Sequence, residues 1–206
     1  MPEWKIENFD RLLVVEGYSD KVFYAEFLEH LGKHGTVFIQ HFNGKGDLMF
    51  KLDDLITPQL LSEKVKIGVM VDGNGNPAGA FMNLRNKLTE LTNQTVPATG
   101  SWTGGLPDIG IFITPDGMNN GEIETLVWRA WSADPVNVPA KNCVEQYRNC
   151  MAAAGYTAQS PDKGLISTLL AIRYDDDPRL GCGARAKVFD FNHPEFDALR
   201  DFLSAF

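Results

Sequence analysis

Three carboxylates in this chain stand just beyond apolar runs. Glu16 follows Leu12–Val15, Asp72 follows Val65–Val71, and Glu124 comes shortly after Ile109–Thr114 and a Pro115-Asp116-Gly117 turn. Asn74 lies two residues after Asp72, and residues i and i+2 leaving a strand end can both turn toward one ion. Val127 and Trp131 follow Glu124 at i+3 and i+7, which sets it at the border of a buried helical face. Asp20 falls in the first turn of a predicted helix. Carboxylate and amide oxygens are hard donors that suit Mg²⁺ or Mn²⁺ rather than zinc. Each residue also has a plainer reading. Asp20 can serve as a helix N-terminal charge, Asp72 and Asn74 as turn formers before glycine, Glu124 as a first-turn helix acid, and Lys163 as a lysine with a solvated head.

The elements that must position these groups follow from periodicity. Leu12–Val15 reads as a buried strand, Gly17 as a tight turn and Ser19 as an N-cap. Val22, Phe23, Phe27 and Leu31 then mark a helix. A second strand spans Thr36–Phe42, and after a turn at 43–46 one helix runs from about Asp47 to Leu61. Val65–Val71 is the third strand, and the 73–77 cluster of Gly, Asn and Pro is a turn. Phe81, Leu84, Leu88 and Leu91 belong to a helix. Residues 95–108 form a loop or irregular hairpin, Ile109–Thr114 a fourth strand, and a helix spans about Gly121–Trp131. Residues 1–10, with Trp4, Ile6 and Phe9, suggest an edge strand or a lead-in.

Strands alternating with helices predict an α/β fold, a mainly parallel sheet of about four strands sandwiched by helices. Further helices follow at about 139–154 and 162–174, then a polar stretch from Asp175 to Gly183. A last helix has Phe196, Leu199, Leu203 and Phe206 on one face. The expected organisation is a single domain, 1–206, with a core of about 10–132 and a C-terminal helical extension of about 138–206. In open α/β sheets ligands gather at the carboxyl ends of the strands, where Glu16 and Asp72 are placed.

The bulk properties narrow the classes. The chain has 206 residues, 44% of them hydrophobic and 22% charged, enough for a sizeable core. A net charge of -8 argues against broad adhesion to nucleic acid, although divalent cations can supply positive charge locally. Cys143, Cys150 and Cys182 lack metal-type spacing and read as free thiols of a reducing compartment. With no signal-like segment and no membrane-length apolar run, the expected location is cytoplasmic and no membrane partner is expected. Gly44-Lys45-Gly46 lacks phosphate-loop spacing and reads as a turn. His30, His34, His41 and His193 lack ligand spacing, and Asp175, Asp176 and Asp177 read as a solvated loop.

The stretch VVEGYSD, followed by an apolar strand ending in Asp-x-Asn, resembles the Toprim domain, with its Glu-Gly motif after the first strand and Asp-x-Asp after a later one. The segment FITPDGMNNGEIETL and the later Asp162-Lys163 are similar to a small stand-alone Toprim-like family of unknown function, related to the Toprim domain of OLD-family nucleases. The resemblance covers nearly the whole chain. It implies a Rossmann-like Toprim fold and a Mg²⁺- or Mn²⁺-dependent phosphoryl-transfer activity, of nuclease or phosphodiesterase type. It further implies Glu16, Asp20, Asp72 and Glu124 as metal ligands, with Glu16 and Lys163 catalytic, and Lys163 beside the scissile phosphate. Asn74 stands where the family carries the second Asp of Asp-x-Asp. An amide there can ligate Mg²⁺ but brings no charge, so a cation- or nucleotide-binding module with weakened turnover is the alternative. The implied partners are a nucleic-acid or nucleotide substrate and an ATPase, which usually accompanies OLD-like Toprim domains.

Overall fold

A computed structural model describes residues 5–33, 35–173 and 177–206. Trp4, His34, Asp175 and Asp176 therefore lie outside the described residues. The first half of the chain is built from β-α steps: β1 (Arg11–Val15), α1 (Tyr18–His30), β2 (Val37–His41), α2 (Lys45–Leu55), α3 (Pro58–Glu63), β3 (Lys66–Asp72) and α4 (Pro77–Thr92). It continues through β4 (Ser101–Trp102), β5 (Asp108–Thr114) and α5 (Ile123–Ala133). The C-terminal part is helical, with α6 (Val138–Ala153), α7 (Pro161–Arg173), α8 (Leu180–Arg185) and α9 (Asp197–Ser204).

The sheet order is β2-β1-β3-β5-β4, parallel throughout except for the last pair. The chain thus runs from β1 outward to β2 and then returns to place β3 on the other side of β1. In open α/β sheets such a reversal is where a ligand crevice forms, here at the carboxyl ends of β1 and β3. Strand residues alternate between two apolar layers. Leu13, Val15 and Phe112 face a core shared with α1, α5, α7, α8 and α9, while Leu12, Val14, Ile67 and Ile111 face α2, α3 and α4. The C-terminal helices are therefore part of the packing that covers one sheet face.

Several sequence expectations are corrected. The sheet has five strands rather than about four, because Ser101–Trp102 pairs antiparallel with β5. The Trp102 ring lies against backbone: a Cβ at Gly110 would stand 2.6 Å from the ring, and one at Gly68 would stand 2.6 Å from Phe206 Cζ. Phe202 stacks on Trp102 at 4.7 Å and the Lys66 ammonium sits 4.3 Å from the ring centroid, which ties α9 to the sheet edge. The expected helix 47–61 divides into α2 and α3, because Pro58 has no N–H to continue the ladder and Thr57 caps the new start through Leu60 N–H. Ser19 is not the N-cap of α1. Gly17 holds that position, and the Ser19 hydroxyl accepts from Gly181 N–H at 3.3 Å. Of the two readings of the N-terminal stretch, the lead-in agrees with the described residues: Ile6–Asn8 is a single 3-10 turn and Ile6 packs on the core beneath one sheet face. The polar stretch up to Gly183 contains the start of α8. Among the described residues no helix is long and apolar enough to cross a membrane. Cys143, Cys150 and Cys182 form no disulfide.

Candidate functional site

At the crevice, β1 ends on Val15 and Glu16 turns across to the neighbouring strand. Its Oε1 accepts the backbone N–H of Asp72 at 2.8 Å, and its carbonyl accepts Gly44 N–H at 2.9 Å. Asp72 closes β3, and its Oδ1 accepts the Thr114 hydroxyl at 2.5 Å and Ile123 N–H, at the start of α5, at 3.1 Å. Thr114 faces Asp72 in the β3–β5 register, so a single carboxylate ties two strand ends to a helix. The Lys45 ammonium donates to the Asp72 carbonyl at 3.0 Å from the first turn of α2.

The start of α5 supplies the opposite wall. Glu122 is its N-cap in a reciprocal capping box with Thr125, so the acid's place is set by helix initiation. Gly121, just before it, has φ 144, and a Cβ there would meet Thr125 Oγ1 at 2.7 Å. Only glycine enters the helix along this path. Thr125 also donates its hydroxyl to Asp162 at 2.7 Å, docking the first turn of α7 on that of α5. Lys163 follows, with its ammonium 3.4 Å from Glu124 Oε1 and 3.6 Å from Glu122 Oε2. Asn74 is exposed and sits in the left-handed region, φ 43, which asparagine tolerates. It joins the site through backbone, exchanging bonds with Gly121 at 2.7 and 3.1 Å.

Burial drives the electrostatics. Desolvation first, and then the Asp72 and Asp20 charges, push the Glu16 carboxyl up to about 7, against the opposing pull of Asp72 N–H and Lys45. Burial and Asp72 likewise raise Asp20 to about 6. Glu124 is raised to about 7, chiefly by burial, with Asp72 and Glu122 adding to it and Lys163 opposing. Asp72 and Glu122 are raised for the same first reason. Burial would lower the Lys163 ammonium, but Glu124, Glu122 and Asp72 outweigh it and hold the pKa above its ordinary value. The buried Tyr24 phenol is held well above its ordinary pKa by desolvation and by the charges of Asp20, Asp72, Glu124 and Glu16. Six carboxyls (Glu16, Asp20, Asp72, Glu122, Glu124 and Asp162) thus face two ammonium groups, Lys45 and Lys163. Several groups perturbed together by burial and by specific charge partners make this cluster the candidate site.

Among the described residues, no group of three or more His, Cys, Asp or Glu side chains is placed to hold a metal ion as the side chains stand. The Lys163 ammonium takes the position beside Glu122 and Glu124 instead. The chemistry of the donors nevertheless suits a hard cation: all are oxygens, negative charge is in excess, and Glu124 Oε2 is buried with no hydrogen-bond partner.

Of the residues singled out in the sequence, Glu16 and Asp72 touch, whereas Asp20, Glu124 and Lys163 join them through charge and helix docking. Asn74 is linked by its backbone. His30 bonds Asn192, His41 packs on Tyr18 and His193 caps a turn, so the described histidines serve local structure. Asp177 pairs with Arg179 in its own loop. Asp116 organises the loop after β5. Burial opposes its charge, but bonds from Asn119, Met118 N–H and Arg129 hold it down at about 2. Sequence reasoning missed Glu122, Thr114, Tyr24 and the reach of Lys45. Glu122 had a signal, an acid directly before a helix with Thr at N3. For Lys45, read as part of a plain turn, the chain offers no signal short of the fold.

Residues 10–206 match the family described as Protein of unknown function (DUF3226), and the chain belongs to that family. No curated protein and no solved structure matches the chain.

Proposed function

We propose that this DUF3226 chain is a Mg²⁺- or Mn²⁺-dependent phosphoryl-transfer enzyme, a nuclease or phosphodiesterase-like hydrolase of Toprim type. The observation that carries the reading is the under-neutralised acid cluster at the crevice, with one buried carboxylate oxygen of Glu124 left unpartnered. Glu16, Asp20, Asp72 and Glu124 would hold the cation, with Glu122 beside them. A bound divalent cation would supply Lewis-acid charge and lower the pKa of an attacking water.

The chain's own residues have definable parts. Glu16 commits Oε1 to Asp72 N–H, so Oε2 is the atom left to meet the cation or to exchange a proton at the reacting centre. Thr114 and Ile123 N–H fix Asp72 in one orientation. The Lys163 side chain is 57% exposed, free to leave Glu122 and Glu124 for a phosphate oxygen, where it stabilises developing charge. Lys45 lowers the repulsion on the Glu16 side.

Asn74 favours a second reading, a module that retains the cation, alone or beside an ATPase partner, with little turnover. The test is hydrolysis of bis(p-nitrophenyl) phosphate and of labelled single- and double-stranded DNA, with Mn²⁺ or EDTA. The enzyme reading expects Mn²⁺-dependent cleavage, reduced about 100-fold or more in Glu16→Gln as general acid-base catalysis is lost. Mn²⁺ binding without cleavage favours the second reading, and absence of Mn²⁺ binding refutes both.

A further inference from the structure

Between α6 and α7 lies a cavity of about 470 Å³, separate from the acid cluster and lined by Tyr147, Arg148, Met151, Tyr156, Pro161 and Gly164 among others. Its tyrosines are not buried for packing: Tyr147 is 54% and Tyr156 69% exposed. Arg148 makes one long bond, 3.4 Å, to the adjacent Asn149, and no carboxylate pairs with it among the described residues. A Cβ at Gly164 would have only Ala158 near it, at 3.6 Å, so the helix backbone is open on this side.

Exposed aromatic rings with an unpaired guanidinium are the elements that stack and hold an unpaired base. The volume is within the range of pockets that take a small molecule, about one nucleoside. Position adds the second argument. Pro161 and Gly164 face the cavity, while Asp162 and Lys163, in the same helical turn, face Thr125, Glu122 and Glu124. A base in the cavity and a phosphate at Lys163 would therefore lie on two sides of one turn of α7.

We infer that the α6–α7 cavity is a base-binding subsite that selects single-stranded nucleic acid, or a dinucleotide-sized fragment of it, over duplex. The inference rests on the phosphoryl-transfer reading of the neighbouring cluster and names its substrate class. A paired base is stacked between its neighbours: its groove edges stay open, but its faces are covered, and a stacking pocket needs a face. The net charge of -8 works against gripping a long duplex backbone.

The test is calorimetric titration of the dinucleotide pApA in EDTA, with a 12-base-pair duplex as competitor and Mn²⁺ titrated separately. The wild type should bind pApA. Tyr156→Ala, Tyr147→Ala and Arg148→Ala should each weaken it about 10-fold, the scale of one base stack, with Mn²⁺ affinity and melting midpoint unchanged. Glu16→Gln should lose Mn²⁺ and keep pApA. Unchanged pApA affinity in all three cavity variants, no pApA binding beside intact Mn²⁺ binding, or equal competition by duplex would overturn the inference. Tyrosine-dependent pApA binding without any Mn²⁺ binding would sustain the subsite and refute the cation-dependent enzyme instead.

Discussion

Replacing Glu124 by glutamine removes a charge that the fold holds at a cost. Glu124 is 3% exposed, and its carboxyl stands at about 7 rather than 4.5, first because of burial. Between those two values the folded state binds more protons than the unfolded chain, so stability falls as pH rises through that window. By pH 8 the penalty for this one group is about 3 kcal/mol. The variant does not recover all of it, because Lys163 loses a partner and an amide N–H₂ in place of the buried Oε2 finds no acceptor. A net gain of about 1.5 kcal/mol at pH 8 is expected, a rise of roughly 3–6 °C in melting midpoint for a chain of this size. At pH 5 the wild-type carboxyl is already protonated, and the two proteins should melt within about 2 °C of each other. The assay is thermal denaturation followed by circular dichroism in EDTA at both pH values. A variant less stable than wild type at pH 8, or a difference independent of pH, would refute the assignment of Glu124 as a desolvated, under-neutralised acid.

Lys163→Met should lower stability in EDTA at pH 8, since Glu122 and Glu124 lose their ammonium, while phosphodiester cleavage falls about 100-fold; melting curves and initial rates check both. Asn74→Asp should tighten Mn²⁺ binding about 5-fold or more by adding a full charge to the oxygen donors, and should slightly lower the midpoint in EDTA, both readable by calorimetry. Gly68→Ala should destabilise by about 1–3 kcal/mol through overpacking, because its Cβ would stand 2.6 Å from Phe206 Cζ. Adding Phe206→Leu should recover part of that loss in chemical denaturation.

The fold was legible where a single segment decides its own fate. Leu12–Val15 is buried on both faces in the sheet centre, and an unbroken apolar run can satisfy no other environment. The face of Phe196, Leu199 and Leu203 is likewise fully buried, as helical spacing requires. Elements decided by tertiary contact were not legible. Ser101–Trp102 is strand only because β5 lies beside it, and the Ser19 hydroxyl accepts from Gly181 N–H at the start of α8, 162 residues away, rather than capping its own helix. The site follows the same division. Glu16 and Asp72 could be placed because strand ends in an α/β sheet share one edge. Thr114 ends a strand on that same edge but carries no charge to draw attention, while Lys45 and Tyr24 reach the cluster from helices whose packing no local pattern encodes.

The central claim is that the crevice carboxyls form a cation site, and titration with Mn²⁺ in EDTA-free buffer tests it most directly. Calorimetry at pH 7 in two buffers of different ionisation enthalpy gives affinity and protons released together. Glu16 and Glu124, each at about 7, are half protonated there, and a cation must displace protons to bind. The account predicts Mn²⁺ binding by wild type with release of about one proton, and loss of both binding and release in Glu16→Gln. No binding by wild type, equal affinity in Glu16→Gln, or binding without proton release would contradict it.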